Sequence, residues 1–460
     1  MAGQNQIFLG TFIHSKALDE LEYFHETAVL VDKEGKIVRI ERGYDLEKAR
    51  ENLFPGLGWS SEDVAVHVCR DGQFFFPGFV DTHLHASQYP NVGIFGKSTL
   101  LDWLITYTFP LEASLSDPAK ARSVYTRCIR KTLSHGTTCA AYYATIDVAG
   151  TNLLADLCLA AGQRALVGRV CMDRLSPDWY RDADAAGAVA AARASIEHIR
   201  RRDPSGTLVR PVITPRFAPA CSEELLRELG RLAAETDLPV QTHISETEAE
   251  VALVGQLFPD GGSYAQVYDG FGLLTRRTIL AHAVHLTDDE ARLVAARGAK
   301  VSHCPCSNSA ITSGEARVRR LLDLGVACGL GTDVSGGYSA SVLEAARLAS
   351  LVSRHVAMGG DERAKLSVEE VLFLATRGGA EVVGLEGTVG AFEVGMEWDA
   401  QLVGLARVDA AGEVGDEDDG NVDVFGWEKW DEKVAKWLFN GDDRNTKKVW
   451  VRGRLVHERK

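Results

Sequence analysis

Residues 77–88, PGFVDTHLHASQ, place His83 and His85 one residue apart at the end of an apolar run. Side chains at positions i and i+2 of a β-strand point to the same face of the strand. The two imidazoles can therefore face one point in space. This spacing indicates a clamp that presents two nitrogen ligands to a metal ion.

Seven further apolar runs follow, and long segments with the apolar spacing of amphipathic helices lie between many of them. The runs are GTTCAAYYAT, RALVGRVC, LVRPVITPR, LPVQTHIS, RTILAHAV, AKVSHCP and VACGLGTD. A repeated β-then-α order is typical of parallel strands joined by helical crossovers. Eight such units favour a closed barrel over an open sheet. We therefore predict an α/β protein with a (β/α)8 TIM-type barrel over residues 76–387.

The two ends of the chain have a different pattern, in which short strands are separated by turn residues. The N-terminal strands are IFLGTFIH, HETAVLVDKEGKIVRIE and VHVCRDGQFFFPG, and the C-terminal ones are WDAQLVGL and KKVWVRGRLVHE. We predict that residues 1–75 and 388–460 together form a small β-sandwich-like domain beside the barrel. Residues 406–423 are acidic and poor in large apolar groups, so we expect a solvated surface loop there.

Composition and charge exclude several classes of protein. The chain has 460 residues, of which 45% are hydrophobic and 25% are charged, as in ordinary globular proteins. The net charge of -14 would repel nucleic acid, and no apolar stretch is long enough to span a bilayer. The N-terminus lacks a signal-peptide pattern, and the nine cysteines lack the spacing of a disulfide scaffold. We expect a cytoplasmic protein with neither nucleic-acid nor membrane partners.

Potential metal ligands end several of the predicted barrel strands. They are His83 and His85 on the first strand, His243 on the fifth, His282 on the sixth and Asp333 on the eighth. Because the active site of such a barrel lies at the carboxyl ends of the strands, these groups should converge. Imidazoles with one carboxylate suit zinc, iron or another divalent first-row metal.

A histidine at one strand end is usually a structural residue, but the joint pattern favours a metal site. His303 also ends a strand and competes with His282 for a role. The remaining histidines are interpreted as structural or surface residues: His14, His25, His67, His135, His198, His285, His355 and His457. No lysine ends the fourth strand, so a carbamylated lysine that bridges two metals has no obvious source. We expect a single metal.

Three more residues are candidates for catalysis or substrate binding. Glu246 lies where the fifth strand turns into a helix, from which it could transfer protons, although it could also simply cap that helix. Arg216 could hold a carbonyl oxygen, and Phe217 could stack on a flat substrate. The alternative for these two is a surface arginine beside a core phenylalanine.

Several of these stretches together resemble the amidohydrolase superfamily, and within it the branch of single-metal purine and pyrimidine deaminases. They are PGFVDTHLHASQ, HISE, LAHAVHL, HCPCSNS and GLGTDVSGGYS. The stretches SQY, LDWLITYTFP, GTTCAAYYAT, GRVCMD, TPRFA and FNGDDRN are similar to the members that act on guanine. Cys306 departs from the asparagine that relatives often carry at this position.

The resemblance implies a zinc-dependent hydrolase that converts guanine to xanthine and ammonia with a metal-activated water. The implied ligands of one Zn2+ per subunit, with Fe2+ as the alternative, are His83, His85, His243 and Asp333. The implied catalytic residues are Glu246 as the proton shuttle, Asp333 as a proton acceptor and His282 beside the activated water. The implied guanine-binding residues are Gln88, Arg216 and Phe217, with Trp103 lining the pocket. The resemblance also implies a homodimer.

Two alternative functions are compatible with the same residues. Another member of the same branch would act on triazines, thioadenosine-type nucleosides, cytosine or 8-oxoguanine. A non-catalytic scaffold is the alternative from a different class, although every ligand position is filled here. The second class of zinc deaminases is excluded, because it needs an H-x-E and a P-C-x-x-C motif and the chain has neither at this site.

Overall fold

The computed structural model describes residues 3–97, 100–415 and 420–459. The chain begins with five strands that belong to one sheet: β1 (Asn5–Ala17), β2 (Glu20–Val31), β3 (Ile37–Arg42), β4 (Val64–Val68) and β5 (Gln73–Pro77). A tight turn joins β2 to β3, because the Asp32 side chain accepts the backbone N–H groups of Glu34 and Lys36. Gly35 completes the turn with a φ of 84°, a conformation that glycine adopts without strain.

The central part of the chain contains parallel strands separated by helices. They are β6 (Phe79–His85), β7 (Thr137–Tyr143), β8 (Arg164–Gly168), β9 (Val170–Cys171), β10 (Val209–Pro211), β11 (Thr214–Pro215), β12 (Val240–Ile244), β13 (Thr278–His282), β14 (Lys300–His303) and β15 (Cys328–Leu330). Short interruptions divide the third predicted strand into β8 and β9 and the fourth into β10 and β11. The order of pairing follows the order of the chain, from β6 to β10 and from β12 to β15.

Backbone hydrogen bonds join these two groups of strands at both edges. Ile213 bridges Val240 in parallel and accepts the N–H of Gln241. At the other edge, the N–H of Asp333 lies 2.9 Å from the carbonyl oxygen of His83. These bonds link eight strands into a ring, and the predicted α/β fold class is confirmed.

The last strands are β16 (Ala400–Gly404), β17 (Ala406–Arg407), β18 (Asp423–Val424), β19 (Thr446–Val451) and β20 (Arg454–Glu458). Both ends of the chain contribute to one eight-stranded sheet, in the order β20-β19-β16-β5-β1-β2-β3, with β4 paired to β1. The division at residues 75 and 388 stays a prediction. Within the predicted acidic loop, β17 pairs with β18, and residues 416–419 lie outside the described residues.

The helices surround the strands. They are α1 (Leu46–Asn52), α2 (Phe54–Leu57), α3 (Leu100–Trp103), α4 (Phe109–Ser114), α5 (Pro118–Ser134), α6 (Val148–Ala161), α7 (Ala185–Arg202), α8 (Glu223–Thr236), α9 (Glu248–Leu257), α10 (Tyr264–Gly270), α11 (Asp288–Arg297), α12 (Pro305–Ala310), α13 (Val318–Asp323), α14 (Val342–Met358), α15 (Val368–Ala375), α16 (Arg377–Val382) and α17 (Trp430–Asn440). A π-helical turn, Leu104–Thr108, connects α3 to α4, and the 3-10 turns are Ser61–Asp63, Ala86–Asn91, Ala218–Ala220 and Glu362–Ala364.

Side-chain caps fix where several barrel helices begin. Ser222 caps α8, and Thr247 and Thr287 cap α9 and α11 with reciprocal bonds to glutamates three residues later. Each cap lies a few residues after a strand, so the short turns hold the carboxyl ends of the strands in place. Within the described ranges, none of the helices combines the length and apolarity needed to cross a bilayer.

Candidate metal and active site

Four potential metal ligands meet at the carboxyl ends of the barrel strands. Ligand atoms of His83, His243, His282 and Asp333 all lie within 4.8 Å of one another. The strand ends that the sequence singled out therefore converge at one point. This group contains His282, whereas the predicted ligand set contains His85. The Nε2 atom of His85 is nevertheless adjacent, at 3.2 Å from Nε2 of His243 and 3.5 Å from Oδ1 of Asp333.

Three of the imidazoles are held in the same way through Nδ1. This atom lies 2.8 Å from Gln241 Oε1 in His83, 2.6 Å from the carbonyl oxygen of Arg216 in His243, and 2.9 Å from Asn308 Oδ1 in His282. Amide and carbonyl oxygens only accept hydrogen bonds, so Nδ1 carries the hydrogen in each ring. The lone pair is then on Nε2, the arrangement found in metal-bound histidines.

Orphaned polar atoms test whether a metal fits this group. The Nε2 atoms of His83 and His282 are buried and have no hydrogen-bond partner among the described residues. Buried nitrogens without partners are costly unless something satisfies them. Both atoms point at the same carboxylate, because Asp333 oxygens lie 3.3 Å from His83 Nε2 and 3.8 Å from His282 Nε2. A divalent cation bound between these groups would satisfy all of them.

The protonation states also suit a cation. Burial, with the nearby His83 and His282, lowers the pKa of His243 well below its usual value. Burial lowers the pKa of His282 to about 4. For Asp333, burial opposes ionisation, but the neighbouring His83 and His282 side chains outweigh it and lower the pKa. Neutral imidazoles and an ionised carboxylate are the forms that bind metals.

Glu246 lies beside this group, and its pKa is shifted in the opposite direction from that of Asp333. Its Oε2 atom is 3.6 Å from His282 Nε2, and the side chain is buried. Burial, with the nearby charges of Asp333 and Glu250, raises the pKa of Glu246 well above its usual value. A carboxyl group whose pKa is raised by its surroundings is suited to general acid and base catalysis.

Backbone strain is concentrated at the same strand ends. Ser245, His282 and Asp333 have φ values of 48°, 75° and 47°. Residues other than glycine rarely adopt this left-handed backbone conformation, and such strain is often found at functional sites. The backbone at the ends of β13 and β15 therefore orients His282 and Asp333 toward the site at a cost in backbone energy.

A cavity opens above the ligand group. The four residues predicted to bind substrate line it, together with the candidate catalytic residues: Gln88, Trp103, Arg216, Phe217, Glu246, His282 and Asp333. Leu100, Leu104 and Ile311 add apolar surface to its wall. A mostly apolar cavity with a few convergent polar groups is typical of sites for small ring compounds. The roles of these residues stay predictions.

His303, the predicted competitor of His282, lies elsewhere. It is buried and lines a separate cavity with Val318, Ser353 and Leu366. Burial lowers its pKa to about 3. Within residues 3–97, 100–415 and 420–459 it does not belong to the ligand group.

Sequence reasoning missed two buried polar residues behind the site. Gln241 holds His83 and lies two residues before His243 on β12, so strand periodicity could have placed it on the same face. Glu112 accepts hydrogen bonds from Gln88 and Arg216. The sequence does contain a sign of this residue. Glu112 lies midway between Phe109 and Leu115 at three-residue spacing, so it places a carboxylate in an otherwise apolar face of a helix.

Comparison with known proteins agrees with this geometry. The model of the amidohydrolase family matches residues 74–456. The chain belongs to the amidohydrolase family. The family resemblance predicted from the sequence is thereby confirmed.

Several amidohydrolases similar to this chain are guanine deaminases. A probable guanine deaminase of Schizosaccharomyces pombe is 46% identical over 98% of this chain and 83% of its own length. The guanine deaminase of Homo sapiens is 39% identical over 98% of this chain and 96% of its own length. The crystal structure of guanine deaminase from C. acetobutylicum with guanine in the active site superimposes with a TM-score of 0.86 at 31% identity, covering 98% of this chain and 100% of that one.

Proposed function

We propose that this amidohydrolase is a guanine deaminase that hydrolyses guanine to xanthine and ammonia. The observation that carries the proposal is a cavity lined by His243, His282 and Asp333 of the ligand group, by the buried Glu246 and by the donors of Gln88 and Arg216. The similarity to guanine deaminases over 98% of the chain supports the choice of guanine among ring substrates.

The ligand group would hold one Zn2+ per subunit, with Fe2+ as the alternative. The proposed ligands are His83, His85, His243 and Asp333, with His282 beside the water that reacts. A cation bound there would act as a Lewis acid and allow water to react as a nucleophile at neutral pH. The nitrogen-rich ligand set favours zinc over the harder cations Mg2+ and Ca2+.

The side chains of the cavity would bind and orient the base. Arg216 and Gln88 carry N–H groups that would donate to the carbonyl oxygen at position 6 of guanine. The ring of Phe217 would stack on the purine, which has a flat apolar face. Guanine is neutral, so a cavity with few charges suits it.

Two carboxylates would move the protons. Asp333 would accept a proton from the water that attacks C2, and Glu246 would protonate N3 so that negative charge does not accumulate on the ring. The proton lost by water would then reach the amino group at C2. The C2–N bond breaks and ammonia leaves, the hydroxyl at C2 gives its proton to Glu246, and the ring keeps the oxygen of water as the carbonyl of xanthine.

The test is a guanine-dependent assay of xanthine and ammonia with metal analysis on the same sample. Adenine, cytosine, 8-oxoguanine and a chlorotriazine serve as competing substrates. We expect guanine to have the highest kcat/KM and the protein to carry about one zinc per chain. Equal or faster turnover of another compound would contradict the proposal. A protein without stoichiometric metal and without activity would instead indicate a scaffold.

We also propose a cytoplasmic homodimer. All nine cysteines are free, which suits a reducing compartment. The dimer is supported by the family resemblance alone. Light scattering of the purified protein tests it, and a monomer mass at micromolar concentration would contradict it.

A further inference from the structure

Glu112 is a buried carboxylate directly behind the substrate cavity. It is 1% exposed and accepts four hydrogen bonds. Arg216 donates two of them, from Nη1 at 2.8 Å and from Nη2 at 3.2 Å. Gln88 Nε2 donates at 2.9 Å, and the hydroxyl of Tyr180 donates at 2.8 Å. The two oxygens of the carboxylate are thus fully used, and two of its three partners are the proposed substrate-binding residues.

Helix α4 supplies a second contact that fixes Arg216. The guanidinium carbon of Arg216 lies 5.0 Å from the ring centroid of Phe109, which precedes Glu112 by three residues on the same helix. A guanidinium held by a carboxylate and an aromatic face has little rotational freedom. Since Glu112 also neutralises its charge, Arg216 can be buried beside a cavity for a neutral base.

The hydrogen bond to Glu112 also fixes which way the Gln88 amide points. Its Nε2 faces Glu112, so its Oε1 faces Ser335 and lies 3.3 Å from the backbone N–H of that residue. A flipped amide would place its oxygen against the carboxylate, which is repulsive. The hydroxyl of Ser335 also donates to this oxygen, at 3.5 Å. Both acceptor positions of the Gln88 amide are therefore used within the protein, and only its remaining N–H is left for a ligand. Arg216 has no acceptor at all.

We infer that Glu112 is a positioning residue that makes this wall of the cavity a donor-only surface and thereby selects purines with a carbonyl at position 6 over those with an amino group there. This inference rests on the proposed function. Glu112 itself is absent from the lining of the cavity and acts through Arg216 and Gln88. A 6-amino group would bring its own N–H groups against donors that have no acceptor to offer.

The test uses Glu112→Gln, which keeps the shape of the side chain and removes its charge. KM and kcat are measured for guanine, and the inhibition constant is measured for 2,6-diaminopurine, which differs from guanine in carrying an amino group at position 6. We expect KM for guanine to rise about 10- to 100-fold, because Arg216 and Gln88 are no longer held. The preference for guanine over 2,6-diaminopurine should narrow by a similar factor. The metal content should remain that of the wild type.

Two variants separate this role from a general loss of structure. Asp182→Asn makes the same acid-to-amide change in another buried pair, with Arg169, and neither residue lines the cavity. It should lower the melting temperature and leave the guanine preference unchanged. Tyr180→Phe removes one hydrogen bond from Glu112 without touching Arg216 or Gln88, and should change KM by less than about threefold.

Different results would contradict the proposed function and the positioning role of Glu112. If the wild type does not deaminate guanine, the proposed function is wrong. If the wild type is active and Glu112→Gln keeps the wild-type preference between the two purines, the positioning role is overturned. Should Glu112→Gln not fold, Glu112→Asp keeps the charge but shortens the reach by one methylene. It should also narrow the preference, and an unchanged preference in that variant would overturn the inference.

Discussion

Glu246 and Asp333 are buried carboxylates beside the same imidazole, yet their surroundings give them opposite affinities for a proton. The pKa of Glu246 is raised by burial and by the neighbouring carboxylates. For Asp333, burial alone would raise the pKa, but the neighbouring His83 and His282 side chains outweigh it and lower the pKa. Two acids whose environments separate their pKa values are suited to two different roles. This separation supports Glu246 as the proton carrier and Asp333 as a ligand.

Substitutions of the two residues should therefore have different effects on activity and metal content. Glu246→Gln keeps the size of the side chain and removes the proton carrier, so kcat should fall about 10²- to 10⁴-fold with the metal retained. Asp333→Ala removes a ligand, so both activity and metal should be lost. Atomic emission and activity are measured on the same preparations. Equal metal content in the two variants would contradict these assignments.

Some residues of the site could be predicted from the sequence alone, and others could not. His83, His243, His282 and Asp333 could be predicted to meet, because strand periodicity and the carboxyl-end rule fix their direction without any distance. Distances were needed to find that ligand atoms of His282 lie within 4.8 Å of those of His83, His243 and Asp333, with His85 adjacent to this group. Glu112 could not be placed, because its partners lie 24 to 104 residues away in the chain.

At the scale of elements, the closure of the barrel depends on a glycine. Gly331 follows β15, where the chain passes close to β6 and β14. A Cβ atom at this position would lie 2.6 Å from Ser302 Oγ, 2.9 Å from Cys304 Sγ and 3.0 Å from His83 Cβ. The missing side chain lets β15 approach β6 closely enough for the N–H of Asp333 to reach the carbonyl oxygen of His83.

Gly331→Ala should therefore disturb both stability and the metal site. We expect a loss of about 1–3 kcal/mol in the free energy of unfolding, since buried neighbours must shift to accept the methyl group. Metal affinity should fall as well, because His83 is one of those neighbours. Gly255→Ala is the matched control: Gly255 lies within α9, a Cβ atom there would meet no other atom within 4 Å, and alanine should stabilise the helix by up to about 1 kcal/mol.

Chemical denaturation and metal titration of both variants check this prediction. Similar metal affinity in Gly331→Ala and wild type would show that His83 does not depend on this close approach. A loss of stability in Gly255→Ala equal to that in Gly331→Ala would assign the effect to the loss of glycine rather than to crowding.

The sequence predicted elements better than their interruptions. Apolar runs and Ser or Thr caps gave the strands and many of the helices, because both signals are local. The break between β8 and β9 follows Gly168, and the break between β10 and β11 follows Pro211. Glycine and proline often interrupt a strand, but apolar residues resume after both breaks, so each run was predicted as one strand. The π-helical turn before α4 was likewise not predictable.

At the scale of the molecule, buried charges connect the barrel to the sheet formed by the chain ends. Arg164 on β8 donates from Nε to Asp399 at 2.6 Å and from Nη1 to the carbonyl oxygen of Thr207 at 2.9 Å. Asp399 directly precedes β16 and also accepts the N–H of Arg452. Removing one partner of such a buried pair is strongly destabilising, so these contacts couple the two parts of the chain.

His14 is a second connection between the ends of the chain. Its Nδ1 accepts the backbone N–H of Phe392 at 3.1 Å, and its Nε2 lies 3.3 Å from Glu22. Burial lowers the pKa of His14 to about 4, and the charge of Arg377 acts in the same direction, while Glu22 and Glu393 oppose it. In the folded protein the ring is therefore neutral well below pH 6.5.

This difference predicts how stability depends on pH. Between about pH 6.5 and 4 the unfolded chain binds a proton at His14 that the folded chain does not, so stability falls on acidification through this window. His14→Asn removes the titrating group while keeping an oxygen that can accept the Phe392 N–H. The variant should be less stable at pH 7, but its stability should fall less steeply toward pH 4, by the equivalent of about one proton.

Urea unfolding at several pH values measures this slope, and the comparison with wild type cancels any contribution from loss of metal in acid. His355→Asn is the matched control, because His355 is largely exposed and has no backbone hydrogen bond through its ring among the described residues. Its pH dependence should follow that of the wild type. If His14→Asn and wild type have parallel pH profiles, the pKa of His14 is the same in the folded and unfolded chains, and burial does not lower it.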